Sequence, residues 1–478
     1  MIYTTDSNGQ QVTADEATVL DNLVLATDSY KLNHWNQYPE GTEAVYSYLE
    51  AREGAIYPYT VFFGLQYLIK RYLLADAIDW AAIEEGRGLV GSHLGPDMFN
   101  QKGWDYIDKE LKGKLPIKIR AVPEGTPVTN SNVLMTVENT DPKCYWLTNA
   151  LESMLTHVWY PSTVATLSRH TLEMIGTKLD ATGATRDGLP FMLHDFGYRG
   201  ASSHESAAIG GAGHLVNSKG TDTVPAMLLA KHFYGAGDDV ALSVPATEHS
   251  VMTSLGPDGE FKIVDRLLDE YPGGILSVVA DSYNIYRFVD TIGTTFNERI
   301  RSRDGVFVVR PDSITKDHRT PEALVAELSK RLWHYFGGET NQKGYKVLAP
   351  QVRLLWGDGI NPDGIEKILD EAAKSGFSAE NYVFGMGGGL LQKINRDTQR
   401  FAFKASAMKR TGAWFNVFKE PLDTSKRSKA GRFSLLYQDG EFVTTPEAEG
   451  DLLQTVFKNG ELFNETTFDE VRKRSAIL

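Results

Sequence analysis

The chain is 478 residues long, with 62 acidic and 49 basic side chains, a formal net charge of −13 and 42% hydrophobic residues. That length exceeds one ordinary core, so two or three structural units are expected. The acidic balance excludes a nucleic-acid partner, because binding phosphate backbones needs a basic face; any anionic ligand must meet a local basic cluster. The single cysteine, Cys144, excludes an intramolecular disulfide. It sits in the apolar helical pattern CYWLTNALESML, as a small core residue would. The opening segment lacks the basic-then-apolar layout of a secretory signal. No apolar stretch reaches the ~20 residues that span a bilayer, so no membrane partner is expected and the cytoplasm is the default location.

In chain order, the first twenty or so residues are polar and read as a frayed arm. Residues 44–52 (AVYSYLEAR) alternate as a strand does, and 62–75 (FFGLQYLIKRYLLA) carry helical spacing. Between 115 and 137, Pro and Gly punctuate short β-like runs, which suggests an antiparallel sheet. Two helices are expected over 141–159 and 162–181. From about 189 to 389 one pattern recurs six times: a short apolar run ending in acidic, basic or glycine residues. It spans 190–200 (PFMLHDFGYRG), 241–250 (ALSVPATEHS), 276–284 (LSVVADSYN), 306–313 (VFVVRPDS), 352–359 (VRLLWGDG) and 382–389 (YVFGMGGG). Buried parallel strands read as such runs, and in α/β proteins the chemistry gathers at their C-terminal ends. Helical patterns at 201–216, 283–292, 321–335 and 361–375 alternate with them, so the sheet should be closed or nearly so. After residue 400 strands return, followed by a basic stretch at 426–432 and a hairpin over 432–445 turning at Asp439-Gly440. The assembly is an α/β barrel inserted into a mixed α+β domain built from both chain ends, with boundaries at 1–184, 185–399 and 400–478.

His249, at the end of one run, is a candidate nucleophile or base, with Glu248 and Ser250 flanking it. Asp195, Asp222, Asp281, Asp312 and Asp358 also fall at run ends. Carboxylates there can bind ribose hydroxyls, a divalent metal or a cationic sugar, but an Asp after a strand is equally suited to capping the next helix. The run Gly387–Gly389 and the pair Gly357, Gly359 leave bare backbone for an anion, and Arg310 can clamp a phosphate. There is no GxxxxGK[ST] loop, HExxH or CxxC.

Taken together, LATDSYKLNHWNQYP, AVPEG, WYPSTVAT, LHDFGYRG, HLVNSKGTDT, VPATEHS, VVADSYNIY, RPDS, GDGI, FGMGGGLLQKINRD and VFKEP…KRSKAGR resemble the nicotinamide phosphoribosyltransferases, in order and from about residue 23 onward. The resemblance implies the type II phosphoribosyltransferase fold and a homodimer with shared active sites. It implies a pentosyltransferase that makes nicotinamide mononucleotide and pyrophosphate from nicotinamide and phosphoribosyl pyrophosphate, with Mg²⁺, in NAD salvage. It also implies ATP as a coupled substrate acting through a phosphohistidine at His249, oriented by Asp281. Phe196 would stack on one face of the pyridine ring, and Tyr30, with Asp28 beside it, on the other from the partner subunit. Asp222 would accept from the carboxamide; Arg199 and Arg310 would contact amide, ribose or 5′-phosphate; Asp312 would hold ribose hydroxyls, with Asp358 nearby. Gly357, Gly387 and Gly388 would offer N–H groups to the phosphate. Arg52, Arg396, Lys404, Lys419 and Lys426 would bind pyrophosphate or ATP phosphates. Ala402 stands where the pattern expects a serine and Met386 where it expects a small polar residue, and the segment after Arg52 is shorter than in animal members. A nicotinate-using relative and a non-catalytic signalling protein on the same scaffold stand as alternatives.

Overall fold

The computed structural model describes residues 2–5, 11–14, 21–74, 77–420, 422 and 428–477. Most of the polar first twenty residues, and Lys426 with Arg427 of the basic stretch, lie outside the described residues. Two compact units emerge: Met1–Thr163 with Arg396–Arg474, and Val164–Asn395 with Ser475–Leu478.

The first unit is organised by a seven-stranded antiparallel sheet drawn from both parts of the chain. Its order is Ala413–Asn416, Phe401–Arg410, Thr42–Ala51, Val133–Asn139, Ile117–Ala121, Gln454–Lys458, Glu461–Leu462. Strand Ile117–Ala121 alternates buried and half-buried side chains, as a sheet with one covered face requires. The helix expected from residue 62 starts later, at Leu65–Leu68. Gly64 before it has φ +103°, a left-handed conformation that glycine adopts without strain and that cannot continue a helix. The helix expected over 141–159 is broken into Pro142–Cys144, Leu147–Ala150 and Glu152–Thr156, whereas Trp159–Thr182 is continuous. Pro161 falls in the first turn of that long helix, where its missing N–H has no intrahelical partner to lose. Cys144 is buried, and burial pushes its thiol up to about 12, so it packs as an inert core residue. The expected hairpin forms between Phe433–Gln438 and Glu441–Pro446. Both turn residues, Asp439 (φ 53°) and Gly440 (φ 87°), take positive φ, the two-residue turn whose twist suits a hairpin.

The second unit is built on a six-stranded parallel half-barrel ordered Gly273–Val279, Asp304–Arg310, Val352–Trp356, Tyr382–Met386, Leu193–Asp195, Gly220–Thr221. Val278, Val279, Phe307, Val309, Leu354 and Phe384 are all buried, so both faces of the sheet are covered and the strands read as continuous apolar runs. Helices follow the strands at His204–Leu215, Ile285–Thr294, Pro321–Phe336 and Pro362–Lys374.

Five of the six apolar runs are strands; 241–250 is not. That segment makes single parallel bridges, Leu242 to Gly220 at one sheet edge and Ala246 to Ser277 at the other, so it joins the two edges without a ladder. Pro245 interrupts it between the two bridges, and proline cannot donate to a ladder. The sixth strand is instead Gly220–Thr221. Two residues carry no periodicity, which is why the pattern passes over them.

Candidate active site

A cavity of ≈ 740 Å³ opens at the C-terminal ends of the parallel strands. Into it come Phe196 and Arg199 after one strand, Asp222 after the next and His249 from the bridging segment. Arg310 and Asp312, Gly357 and Asp358, and Gly387 and Gly388 complete the set of expected residues that it gathers. All of these belong to the second unit.

Phe196 is half-buried and rests on bare backbone. A Cβ at Gly385 would sit 2.6 Å from its Cζ and closer still to Cδ2 and Cε2, and one at Gly357 would be 3.2 Å from Cε2. Its own N–H donates to Met386 O at 3.1 Å. Neighbouring His194 lies 6.3 Å from the Phe196 ring, and a Cβ at Gly220 would sit 2.7 Å from its Nε2. Glycine is thus required where the two rings lie across strand ends. The N–H groups of Gly387, Gly388 and Gly389 have no hydrogen-bond partner among the described residues, so they remain available to an anion.

His249 opens the short helix His249–Met252, and its side chain is 48% exposed. Its Nδ1 meets Ser282 Oγ at 3.1 Å, while Nε2 faces Asp312 Oδ2 at 3.4 Å and Asp281 Oδ1 at 3.8 Å. Those last two are Coulombic distances rather than firm hydrogen bonds, as is common before a substrate tightens a site. Asp281 Oδ1 is buried without a hydrogen bond, and Oδ2 accepts from Ser313. None of Asp281, Asp312 and Asp358 caps a helix. Asn284, Thr320 and Asn361 accept the first-turn N–H groups instead, and Asp312 and Asp358 line the cavity. Burial, then the charges of Asp312 and Asp281, raise the Asp358 carboxyl above its usual range. Carboxylates within Coulombic reach of one another favour sugar hydroxyls or a positively charged sugar beside Asp312 and Asp358. Arg310 Nη2 donates to Thr247 O at 2.7 Å, and its buried Nε has no partner.

Asp222 stands at the end of strand Gly220–Thr221, its N–H bonded to Asp195 O at 2.9 Å. Ser243 Oγ donates to Asp222 Oδ1 at 2.6 Å. Asp195 beside it is fully buried, its Oδ1 accepting from Gly197 N–H at 2.7 Å, and burial pushes its carboxyl up to about 6.

The first unit carries the remaining expected residues. Burial first, and then the nearby cations Arg52, Lys419 and Arg396 acting against the Glu152 carboxylate, hold half-buried Lys404 below the usual lysine range. Arg52 Nη2 is buried with no hydrogen-bond partner; its Nε lies 3.6 Å from Glu50 Oε1, within ion-pair reach but too long for a hydrogen bond. Cations that crowd one another call for a polyanion. Tyr30 is 61% exposed, with Lys31 Nζ 5.4 Å from its ring centroid, and Asp28 accepts from Ser153 Oγ.

Residues 22–119 match the N-terminal domain model of nicotinamide phosphoribosyltransferase, and residues 191–461 match the nicotinate phosphoribosyltransferase (NAPRTase) family. The chain is 45% identical over 468 residues to a nicotinamide phosphoribosyltransferase of Xanthomonas campestris, covering 95% of this chain and 98% of that one. The chain belongs to the nicotinamide phosphoribosyltransferase family. A second relative of that description, from Acinetobacter baylyi, is 34% identical, covering 95% of this chain and 97% of its own. Among solved structures, the fold resembles nicotinate-nucleotide pyrophosphorylase from Pyrococcus furiosus, with TM-score 0.60, 15% identity and 97% of each chain covered. It also resembles human nicotinic acid phosphoribosyltransferase, with TM-score 0.55, 15% identity and 94% and 93% covered. These are type II phosphoribosyltransferase-like architectures.

Against the family pattern, Met386 is a fully buried strand residue that packs beside Gly389 rather than presenting a side chain from the glycine loop. Ala402 pairs with Glu50 across the antiparallel sheet. Lys393, which also lines the cavity, escaped sequence reasoning, as did Ser243, bonded to Asp222, and Ser282, bonded to His249. Lys393 stands in LLQKINRD, directly after the glycine run, and that position was its one local signal.

Proposed function

We propose that this protein transfers the phosphoribosyl group of phosphoribosyl pyrophosphate to nicotinamide, giving nicotinamide mononucleotide and pyrophosphate in NAD salvage. The observation that carries the reading is a single cavity that joins a flat aromatic seat (Phe196), an acceptor (Asp222), a phosphate-binding corner (Arg310, Lys393 and the glycine N–H groups) and converging carboxylates.

Nicotinamide stacks on Phe196 while the carboxamide N–H₂ donates a hydrogen bond to Asp222. Arg199, Arg310, Lys393 and the N–H groups of Gly357, Gly387 and Gly388 take the 5′-phosphate. Asp312, with Asp358, holds the ribose hydroxyls and favours the positive charge that develops on the sugar. The pyridine nitrogen lone pair forms the bond to C1 of the ribose as the bond to pyrophosphate breaks, and the pyrophosphate departs with the electron pair. The protein's share is mainly positioning and electrostatics. Among the described residues no group of three or more His, Cys, Asp or Glu side chains is gathered to hold a metal alone. Mg²⁺ bound as a chelate of the pyrophosphate would neutralise the leaving group, and Asp312 and Asp358 would be the residues to meet it.

His249 attacks the γ-phosphorus of ATP and ADP leaves; water later hydrolyses the phosphohistidine to phosphate, which drives the transfer forward. Asp281 and Asp312 orient the imidazole, and Ser282 holds its other nitrogen. Arg52, Arg396, Lys404 and Lys419, with Lys426, serve the polyphosphates. Tyr30 and Asp28 close the other face of the base from the partner subunit of a homodimer. The site is cytoplasmic in this reading; no helix among the described residues is long and apolar enough to cross a membrane. A nicotinate-using enzyme is disfavoured because the Asp222 carboxylate repels that of nicotinate. The test is mononucleotide formation from nicotinamide and from nicotinate, each with and without ATP. Product from nicotinamide alone, increased by ATP, is expected; product from neither base overturns the reading.

A further inference from the structure

We propose that Ser243 is a positioning residue for base selection: its hydroxyl holds the Asp222 carboxylate in the orientation that receives the carboxamide. The inference rests on the proposed transferase reading and deepens it.

Asp222 is exposed at the end of a two-residue strand, so its side chain has room to rotate. Among the described residues its carboxylate has one side-chain hydrogen-bond partner, Ser243 Oγ at 2.6 Å. An ionised carboxylate only accepts, so the serine must be the donor. The serine is itself held in place by its neighbour. Leu242 bridges Gly220, accepting from Thr221 N–H at 3.3 Å and donating to Lys219 O at 2.7 Å. The segment bearing Ser243 is thus tied to the strand that leads into Asp222.

Asp222 lines the cavity and Ser243 is bonded to its carboxylate, so the serine acts on a ligand through the aspartate. With Oδ1 engaged by Ser243, Oδ2 is the oxygen left for the carboxamide N–H₂. Asp195 adds a reason for the tether. Its buried carboxyl lies close enough for the two acids to repel when both are ionised, and the tether opposes that displacement. The pair divides the labour of recognition: the Asp222 charge turns nicotinate away, and the Ser243 bond sets where the amide is met.

The two roles have different signatures. Ser243→Ala should raise KM for nicotinamide roughly five- to tenfold, less than the ~10- to 100-fold that one hydrogen bond to a charged group is worth, because the serine reaches the base through the aspartate. Its kcat should stay within about twofold of wild type, as befits binding lost equally from ground and transition states. KM for phosphoribosyl pyrophosphate should not move. Use of nicotinate should not improve, because the charge remains; Asp222→Ala, which removes the charge, should improve it. Ser243→Thr keeps the hydroxyl and should restore KM for nicotinamide.

The experiment is steady-state kinetics of wild type, Ser243→Ala, Ser243→Thr and Asp222→Ala with both bases. A wild-type KM for nicotinamide in Ser243→Ala, an equal rise in KM for phosphoribosyl pyrophosphate, or no restoration by threonine overturns the proposal while leaving the transferase reading intact. If the wild-type enzyme forms mononucleotide from neither base, the transferase reading itself has failed and the inference falls with it.

Discussion

Replacing Gly385 with alanine places a methyl group where the Phe196 ring now lies. Gly385 sits in strand Tyr382–Met386 and is not among the residues with positive φ, so the backbone accepts alanine and the cost is steric. The new Cβ would be 2.6 Å from Phe196 Cζ and nearer still to two other ring carbons. Resting carbon atoms stand about 3.5–4 Å apart, so the ring must retreat by at least ~1 Å. The strand cannot give way, because Gly385 is in register with His194 in the neighbouring parallel strand. The ring's open direction is the cavity, where the base is proposed to lie. Overpacking of this kind costs about 1–3 kcal/mol of stability, and a 1 Å misplacement at a reacting centre can cost ~100-fold in rate.

The assay has two arms. Initial rates of mononucleotide formation should show kcat/KM for nicotinamide falling roughly 10- to 100-fold. Urea unfolding of Gly385→Ala, Phe196→Ala and the double variant should show strong coupling. Once the ring is gone the alanine should be nearly free, giving an interaction energy of about 1–2 kcal/mol. Additive stability losses together with wild-type kcat/KM would refute the reasoning from ring to glycine to base.

His249→Ala should retain slow transfer but lose stimulation by ATP and labelling from γ-phosphate-labelled ATP; an ATP response that survives the substitution would sink the phosphohistidine role. Asp222→Ala should lose its preference for nicotinamide by roughly tenfold or more, because the amide donor is left without its acceptor and the repulsion of nicotinate disappears. Unchanged selectivity in competition assays would contradict that. Asp195 titrates near 6 in the folded protein because of burial, against 3.8 for the free side chain. Between those values the native state keeps a proton that the unfolded chain has lost, so this group's contribution to stability declines as pH rises through the window. The decline amounts to about 3 kcal/mol, from roughly 2 pH units at ~1.4 kcal/mol each. Asp195→Asn should therefore flatten the stability profile between pH 4 and about 7 relative to wild type. Parallel profiles for the two proteins from urea unfolding would count against it.

Much of the candidate site was legible because most of its cavity-lining side chains terminate an apolar run. Asp281, Arg310, Asp312, Asp358 and the glycines near 387 are local events where a buried strand ends, and His249 ends an apolar run that forms no strand, so each can be read one segment at a time. The hairpin turn at Asp439-Gly440 was legible for a similar reason, since its two residues accept positive φ by themselves. Other features depended on pairs of distant segments. Strand Gly220–Thr221 is too short to show a period, and the longer apolar run that imitates a sixth strand is interrupted by Pro245. Sheet register, not residue type, brings Ser243 to Asp222. Whether an aspartate after a strand caps a helix or faces a ligand was open until Asn284, Thr320 and Asn361 were seen to occupy the caps. The sequence by itself determined which side chains are available at strand ends, because hydrophobic burial and turn chemistry act within a few residues. Only the tertiary structure decided which of them meet, because contact between segments dozens of residues apart follows from the strand order and register that the whole core selects together.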